Sequence, residues 1–240
     1  MRSALPVPAV CPRCTGSGWV PLPGDDLRVE ACGCQGDLRR QQRLASACIP
    51  KRYAHCALDT FREKSSVLGI AKRRVQEFVD LWPSTPDGKG LLLMGGCGVG
   101  KTHLAVAALV EIINAGKPGR VMFSNFQDLI QEIQATFDSD RIATKSELLR
   151  PLLEADLLVL DELGSQKPTQ FIQDILYYVI NTRYNEELTT IFTTNYYDRS
   201  ADAKEETLEQ RIGTRLRSRL AEMADRIEFS GATDHRRNTL

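Results

Sequence analysis

A glycine-rich octapeptide carries the clearest chemical signal in the chain. Residues 95–102 read GGCGVGKT and fit the pattern G-x-x-x-x-G-K-[ST]. An apolar run precedes them and a helical pattern follows, which is the context in which this pattern binds nucleotides. Glycines let backbone N–H groups and a helix N-terminus face phosphate oxygens. The octapeptide therefore predicts a triphosphate site rather than a glycine-rich turn that binds nothing.

The octapeptide also assigns separate roles to its residues. We expect the Lys101 ammonium group to bridge the β- and γ-phosphates and the Thr102 hydroxyl to hold Mg²⁺. Cys97 is interpreted as a spacer whose backbone matters more than its thiol. The remaining nucleotide contacts are expected from neighbouring positions: Gly95, Gly96, Cys97, Gly98, Val99, Gly100 and His103.

Two carboxylates follow a second apolar run. Residues 157–160 read LLVL and deliver Asp161 and Glu162 to the carboxyl end of a predicted strand, where ligands bind in open α/β sheets. We expect Asp161 to hold Mg²⁺ and Glu162 to orient or deprotonate the attacking water. A small-molecule kinase needs no activated water, so the pair favours hydrolysis. Asn195 ends a third apolar run and is placed to hydrogen-bond the γ-phosphate or that water.

An arginine-rich segment occupies residues 207–223. Arg211, Arg215 and Arg219 are spaced by four and would share one face of a continuous helix. Such a stripe suits phosphate, either of nucleic acid or of a nucleotide held by a neighbouring subunit. The alternative interpretation is a solvated cationic face.

The N-terminal cysteines have the spacing of metal ligands. Cys11 and Cys14 form a CPRC pair, and Cys32 and Cys34 follow as CGC, close to a four-thiolate zinc ribbon. Zn²⁺ would supply folding free energy to this N-terminal segment, which has too little apolar area to fold unaided. We favour zinc over a redox pair, because a thioredoxin-like CPRC should follow a strand and open a helix. Three nearby side chains stay open as replacement ligands: Cys48, His55 and Cys56.

Alternating strands and helices must position these groups. Helical patterns separate five short apolar runs and predict an α/β fold with a five-stranded parallel sheet between helices. The first fifty residues show no long helical period, so we expect a Cys-rich module over 1–48 and an α/β domain over 49–240. The apolar runs, which predict strands covered on both faces, are 90–95, 121–125, 157–162, 189–195 and 226–230.

Composition excludes several classes. The 240 residues carry 31 basic and 31 acidic side chains, so nucleic-acid contact must come from local clusters. No apolar run approaches the roughly 20 residues that a membrane span needs, and the first residues lack a signal-peptide core. We expect a cytoplasmic protein with no membrane partner and with metal-bound or free thiols instead of disulfides.

Taken in order, the motifs resemble one family. GGCGVGKTH, LLVLDELG, INTRYNEELTTIFTTN and RIGTRLRSRLAEM are similar to segments of AAA+ ATPases of the DnaC, DnaI and IstB type, over about residues 49–240. This family includes replicative helicase loaders and transposition helper ATPases. The resemblance implies Mg²⁺-dependent ATP hydrolysis, assembly into a ring or spiral, and single-stranded DNA binding near residues 126–150, where Arg141 and Lys145 lie.

The resemblance also implies roles for single residues. Asn195 matches the sensor 1 position. Arg219, with Arg215 as the second choice, matches an arginine finger that completes the site of the adjacent subunit. Arg236 resembles a sensor 2 arginine in a short C-terminal tail. Only about twenty residues follow Arg219, so we expect little or no lid domain.

The order of the two predicted parts suggests one branch of the family. A zinc module before an AAA+ core is the order of DnaI-type loaders, which favours an ATP-dependent loader of a hexameric replicative helicase. The alternative is an IstB-like transposition helper that acts on duplex DNA and a transposase. Two further classes are a nucleotide switch without turnover and a small-molecule kinase, which the Asp161 and Glu162 pair opposes.

Overall fold

The computed structural model describes residues 11–22, 25–135, 145–199 and 205–231. The N-terminal part consists of strands β1 (Trp19–Leu22) and β2 (Asp25–Ala31), which pair antiparallel, and helix α1 (Gly33–Ser46). Val20 packs with the buried Cys14 and Cys32. The helix contradicts the expectation that no long helix occurs before residue 48. None of its side chains is buried, so it lacks the apolar stripe that reveals a helix in a sequence.

Helix α1 connects the N-terminal module to the rest of the chain. Ala47, directly after it, is buried, and its carbonyl accepts a hydrogen bond from the backbone N–H of Phe123 at 2.8 Å. The Arg43 guanidinium donates to the carbonyl of Gly119 at 2.9 Å. The end of α1 is therefore docked on the edge of the main sheet.

The main sheet has five parallel strands, as predicted, in the order β4-β5-β6-β3-β7. The predicted starts of the first four are confirmed. The fifth begins two residues earlier than predicted, because it is an edge strand whose Asp225 and Arg226 face solvent and interrupt the apolar run. The bounds are β3 (Gly90–Met94), β4 (Val121–Asn125), β5 (Leu157–Asp161), β6 (Thr189–Thr194) and β7 (Ala224–Glu228).

Helices cover both faces of this sheet. Alternate residues of each strand point to opposite sides: in β3, Leu91 and Leu93 enter the core shared with α2 and α3, whereas Leu92 and Met94 enter the core shared with α4 to α8. None of the described helices is both long enough and apolar enough to cross a membrane. The bounds are α2 (Ser66–Leu81), α3 (Lys101–Asn114), α4 (Phe126–Ala135), α5 (Lys145–Glu154), α6 (Gln170–Asn185), α7 (Leu208–Ile212) and α8 (Thr214–Met223).

The arginine-rich segment is not one helix. Gly213 separates α7 from α8 and has a φ of 86°, a conformation that costs glycine little because it has no Cβ. Arg211 therefore does not share a helix face with Arg215 and Arg219. The prediction that the three arginines share one helix face is wrong, because residues four apart lie on the same face only within a continuous helix.

Candidate functional site

Strand β3 and helix α3 hold the glycine-rich loop between them. Gly100 has a φ of 104°, and a Cβ there would lie 2.6 Å from the ring of Phe61. A Cβ on Gly95 would lie 2.7 Å from that of Phe229, whereas one on Gly96 would meet nothing within 4 Å. The loop is therefore tightly packed at Gly95 and Gly100 and open at Gly96. Glycine is required at the two packed positions because a side chain would displace the core.

Lys101 lies inside the loop and is only 6 % exposed. Its ammonium group donates to the carbonyls of Gly95 at 2.8 Å and Gly96 at 2.6 Å, and to Oδ1 of Asn195 at 2.8 Å. Asn195 reaches it because β3 and β6 are neighbours and pair up to Met94 and Thr194. The lysine of the loop and the amide at the end of β6 are therefore in direct contact.

Asp161 ends β5 and is completely buried. Its Oδ1 accepts hydrogen bonds from the hydroxyls of Thr193 at 2.6 Å and Thr102 at 2.9 Å, whereas Oδ2 is buried with no partner among the described residues. Burial raises the pKa of this carboxyl, and the two hydroxyls act against that rise. A buried oxygen left without a donor beside Thr102 fits a hard divalent cation such as Mg²⁺.

Glu162 follows in an unusual backbone conformation. Its φ of 59° is rare for a residue other than glycine, and its N–H donates to the Thr193 hydroxyl at 3.0 Å. Its Oε2 accepts from Nδ2 of Asn125, at the end of β4, at 3.2 Å. The backbone N–H of Gln127 donates to Oδ1 of Asn125 at 2.9 Å and fixes the orientation of that amide. Asn125 is not among the site residues predicted from the sequence, because asparagine is common at strand ends.

A cavity of about 660 Å³ is lined by Lys101, Thr102, Glu162 and Asn195 among others, and its size is typical of small-molecule sites. Eight residues between 52 and 64 also line it, so the segment before the sheet contributes to the site. His103 lines it too, and burial lowers the pKa of its imidazole. The lining from the loop and the strand ends is Cys97, Gly98, Gly100, Lys101, Thr102, His103, Glu162, Thr193 and Asn195.

Arg211 supports the loop that follows Glu162. It is 8 % exposed, and its guanidinium donates to the carbonyls of Gly164 at 2.8 Å and Ser165 at 3.1 Å. It also pairs with Glu206 at 2.9 Å. Arg211 is therefore a structural residue of this chain and is not available to an external phosphate.

The two finger candidates, Arg215 and Arg219, both lie on α8. The Arg219 guanidinium lies over two rings, 4.9 Å from the centroid of Tyr177 and 5.6 Å from that of Tyr184. Its Nη1 is buried without a hydrogen-bond partner among the described residues. Arg215 is exposed. Neither arginine lines the cavity of its own chain.

Two predicted basic residues fall in parts of the chain that the structure does not describe. Arg141 and Arg236 lie within 136–144 and 232–240 and thus outside the described residues. Lys145 begins α5, and its Nζ lies 5.9 Å from the ring centroid of Phe171. The predicted DNA-binding role of this region stays a prediction.

Four cysteines form a cluster in the N-terminal module. All their sulfurs lie within 4.8 Å of one another; the sulfurs of Cys11 and Cys32 are 3.8 Å apart, and those of Cys14 and Cys34 are 3.5 Å apart. Tetrahedral Zn–S bonds of about 2.3 Å separate sulfurs by about 3.8 Å, so the cluster fits zinc. The alternative ligands Cys48, His55 and Cys56 are not part of it.

Hydrogen bonds around the cluster favour thiolates at two of the four positions. Burial acts to raise the pKa of Cys14, but hydrogen bonds from the Gly18 backbone and from Cys34 outweigh it, and the pKa falls to about 6. The backbone N–H groups of Cys14 and Arg13 lower the pKa of Cys11. The pKa of Cys34 rises to about 12, because its thiol is hydrogen-bonded to Cys14. Metal binding requires such thiolates.

The parallel sheet, the glycine-rich loop and the Asp161 and Glu162 pair define a P-loop ATPase of the AAA+ class. The profile of the IstB-like ATP binding protein family matches residues 33–237. The chain belongs to this family.

Individual relatives agree with that assignment. A crystal structure of the DnaC helicase loader superposes with a TM-score of 0.64 and 34% identity, covering 75% of this chain and 99% of that one. The replicative helicase loader DnaC of Escherichia coli K12 is 26% identical over 66% of this chain and 62% of its own length. A Pseudomonas aeruginosa protein named as an ATP-binding protein of insertion sequence IS21 is 32% identical over 53% of this chain and 45% of its own. The chain thus spans just under two thirds of the length of the DnaC relatives.

Proposed function

We propose that this protein is an ATP-dependent loader of a hexameric replicative DNA helicase. The observation that carries this proposal is the similarity to the DnaC helicase loader structure, which is 34% identical over 99% of its chain. The site supplies the chemistry, since the phosphate loop and Glu162 line one cavity and the buried Asp161 is hydrogen-bonded to Thr102 in the wall of that cavity.

Each residue of the site has one task in hydrolysis. Thr102 and Asp161 would hold Mg²⁺, which neutralises phosphate charge when bound. When a nucleotide binds, the Lys101 ammonium group gives up its hydrogen bonds to the loop carbonyls and binds the phosphates. Glu162 accepts the proton of the attacking water, and Asn195, hydrogen-bonded to Lys101, positions the γ-phosphate or that water.

Hydrolysis in this proposal requires a second copy of the chain. Arg219, with Arg215 as the second choice, contacts the nucleotide of the adjacent subunit, where an arginine finger raises the rate by about 10³ to 10⁵. Two observations support this role: both arginines lie on α8, and neither lines the cavity of its own chain. Head-to-tail contacts of this kind produce a ring or a spiral. Single-stranded DNA is proposed to bind along its inner surface.

The four-cysteine cluster is proposed to hold Zn²⁺ and to present a protein-binding surface. Trp19 and Val29 are 51% and 54% exposed. They lie on the same face of the hairpin because Trp19 pairs with Ala31 and Pro21 pairs with Val29. An exposed apolar face on so small a module is typical of a contact with protein. We assign this face to the helicase.

Pulldown from a host extract tests the proposal. The full chain with ATP should retain the replicative helicase, and Trp19→Ala should lower the yield at least about tenfold while ATP binding is unchanged. Ile70→Ala, an equally exposed apolar residue on α2, is the matched control. Failure to retain the helicase would contradict loading.

The IS21 relative favours a second candidate function. Its 32% identity supports a transposition helper that acts on duplex DNA and a transposase. In that case the same pulldown retains a transposase, and ATP hydrolysis responds to duplex DNA in preference to single-stranded DNA.

A further inference from the structure

We propose that His55, Cys56 and His103 form a second metal site, for a transition-metal ion of the Zn²⁺ class, beside the nucleotide cavity. One ligating atom from each residue lies within 4.8 Å of those of the other two. Two of these residues were alternative ligands for the four-cysteine cluster, and the structure places them elsewhere. The site requires neither DNA nor a helicase, so it is independent of the proposed function.

The chemistry of the three groups selects the ion. One thiol and two imidazoles suit Zn²⁺ and Co²⁺, whereas Mg²⁺ and Ca²⁺ require oxygen ligands. Three protein ligands with a fourth position open is the arrangement of accessible zinc sites. All three residues line the nucleotide cavity, so the fourth position is accessible to water or to a ligand in that cavity.

Two of the ligands are already held in place. The His103 ring has its Nε2 3.0 Å from the Ala57 carbonyl and lies edge-on to Phe61 with centroids 5.4 Å apart. Cys56 is 2% exposed, and its backbone N–H donates to the Tyr53 carbonyl at 3.0 Å. Fixed ligands lose little conformational entropy when an ion binds.

The third ligand has room to move. His55 is exposed, and its ring centroid lies 6.1 Å from that of His103. Ligands on a tetrahedral zinc ion are separated by about 3.3 to 3.8 Å, given Zn–N and Zn–S bonds of about 2.0 to 2.3 Å. A side-chain rotation of His55 would shorten the distances from its ring to the other two ligating atoms, which now lie within 4.8 Å, toward this spacing.

The position of the site gives the ion a structural effect. His55 and Cys56 belong to the segment before the sheet, whereas His103 lies in the first turn of α3, next to Thr102. An ion bound by all three joins the two walls of the nucleotide cavity. Metal binding should therefore slow backbone hydrogen exchange across residues 53–60.

Cobalt titration of the full chain tests the site. Protein stripped of metal is first given one equivalent of Zn²⁺, which fills the four-cysteine cluster because thiolates select zinc, and Co²⁺ is then added. We expect one equivalent of Co²⁺ to bind with a thiolate-to-cobalt charge-transfer band. Cys56→Ser should lose this band, and His55→Ala should weaken Co²⁺ binding at least about tenfold. Cys48→Ser, which removes an exposed cysteine outside the site, should retain both properties.

Three outcomes would overturn the proposal: no Co²⁺ bound after the first zinc equivalent, an undiminished band in Cys56→Ser, or a band lost from Cys14→Ser and not from Cys56→Ser. Circular dichroism establishes that each variant is folded, and Cys56→Ala replaces Cys56→Ser if the serine disrupts the core. Cobalt-edge X-ray absorption gives an independent measurement, with one sulfur and two imidazole ligands expected.

Discussion

At the scale of single residues, Asp161 is a site residue whose burial lowers the stability of the folded chain. Burial raises the pKa of its carboxyl above the ordinary value, so the folded chain holds that proton more tightly than the unfolded chain does. Between the ordinary and the raised pKa, unfolding releases protons, and the free energy of unfolding falls as pH increases. The buried carboxylate is therefore retained at the expense of stability.

The variant Asp161→Asn should raise the free energy of unfolding at neutral pH in the absence of nucleotide. The gain should disappear below the ordinary carboxyl pKa of about 3.8, where aspartate is protonated in both states. The same variant should lower ATP turnover about 100-fold or more, because the proposed ligand of Mg²⁺ is lost. Urea unfolding at several pH values and a phosphate-release assay measure the two effects. Equal stability of the two proteins at neutral pH would contradict the assignment.

Asn125 is predicted to act through Glu162. Because its amide donates to the Glu162 carboxylate at 3.2 Å, Asn125→Ala removes the group that orients this acid. We expect turnover to fall about tenfold and ATP affinity to change less than about twofold, since Asn125 does not line the cavity. Asn114→Ala, an exposed asparagine at the end of α3, is the control. A parallel loss of affinity would show that Asn125 contacts the nucleotide.

At the scale of secondary-structure elements, one buried cation connects three of them. Arg183, near the end of α6, is 1% exposed. Its guanidinium donates to the carbonyls of Leu152, Ala155 and Thr189 at 2.6 to 2.8 Å and to the Thr190 hydroxyl at 2.8 Å. It thereby attaches α6 to the end of α5 and to the start of β6.

Arg183→Met should destabilise the chain by about 3–5 kcal/mol, because three buried carbonyls lose their donor. Thermal or urea unfolding measures the loss. Arg150→Ala, at an exposed arginine on α5, should leave stability unchanged within about 0.5 kcal/mol. Equal midpoints for the two variants would contradict this account.

Removal of the metal should affect the N-terminal module and leave nucleotide binding by the core nearly unchanged. A chelator should release Zn²⁺ and make all four cluster cysteines reactive to a thiol reagent, because the module has almost no apolar core of its own beyond Val20. ATP binding should persist within about twofold, since the phosphate loop lies in the sheet core. Titration of thiols alongside nucleotide binding measures both. Loss of nucleotide binding together with zinc would show that the two parts fold as one unit.

The elements also differ in how closely the sequence predicts them. The central strands are covered on both faces, so their uninterrupted apolar runs predict them closely. The four cysteines lie together as expected, because their spacing follows from the geometry of metal ligands. At the separate nucleotide site, Asp161, Glu162 and Asn195 lie near the loop as expected, because each stands at the end of a strand of one parallel sheet. The sequence does not reveal helix α1, because none of its side chains is buried. The arginine spacing predicts one continuous helix, whereas Gly213 divides this segment into α7 and α8. His103 lies near Cys56 because of tertiary packing, which the spacing of residues in the sequence does not predict.

At the scale of the whole molecule, the proposed arginine finger makes each active site the product of two subunits. A mixing experiment tests this directly. Glu162→Gln retains Arg219 but cannot activate water, and Arg219→Ala retains Glu162 but cannot complete a neighbour. Each variant alone should be inactive.

An equal mixture should recover about a quarter of native turnover, because random head-to-tail assembly pairs an intact Glu162 with an intact Arg219 at that fraction of interfaces. Steady-state hydrolysis with DNA and helicase present measures the recovery. Repeating the mixture with Arg215→Ala in place of Arg219→Ala distinguishes the two candidates. An inactive mixture for both would exclude Arg215 and Arg219 as the finger.

The hydrogen bond from Phe123 to the Ala47 carbonyl has a mechanical consequence. Ala47 directly follows α1, which contains Cys34 of the four-cysteine cluster, and Phe123 lies two residues before Asn125 on β4. A displacement of α1 would therefore reach the Asn125 amide, which is hydrogen-bonded to Glu162, through one backbone hydrogen bond and two peptide units.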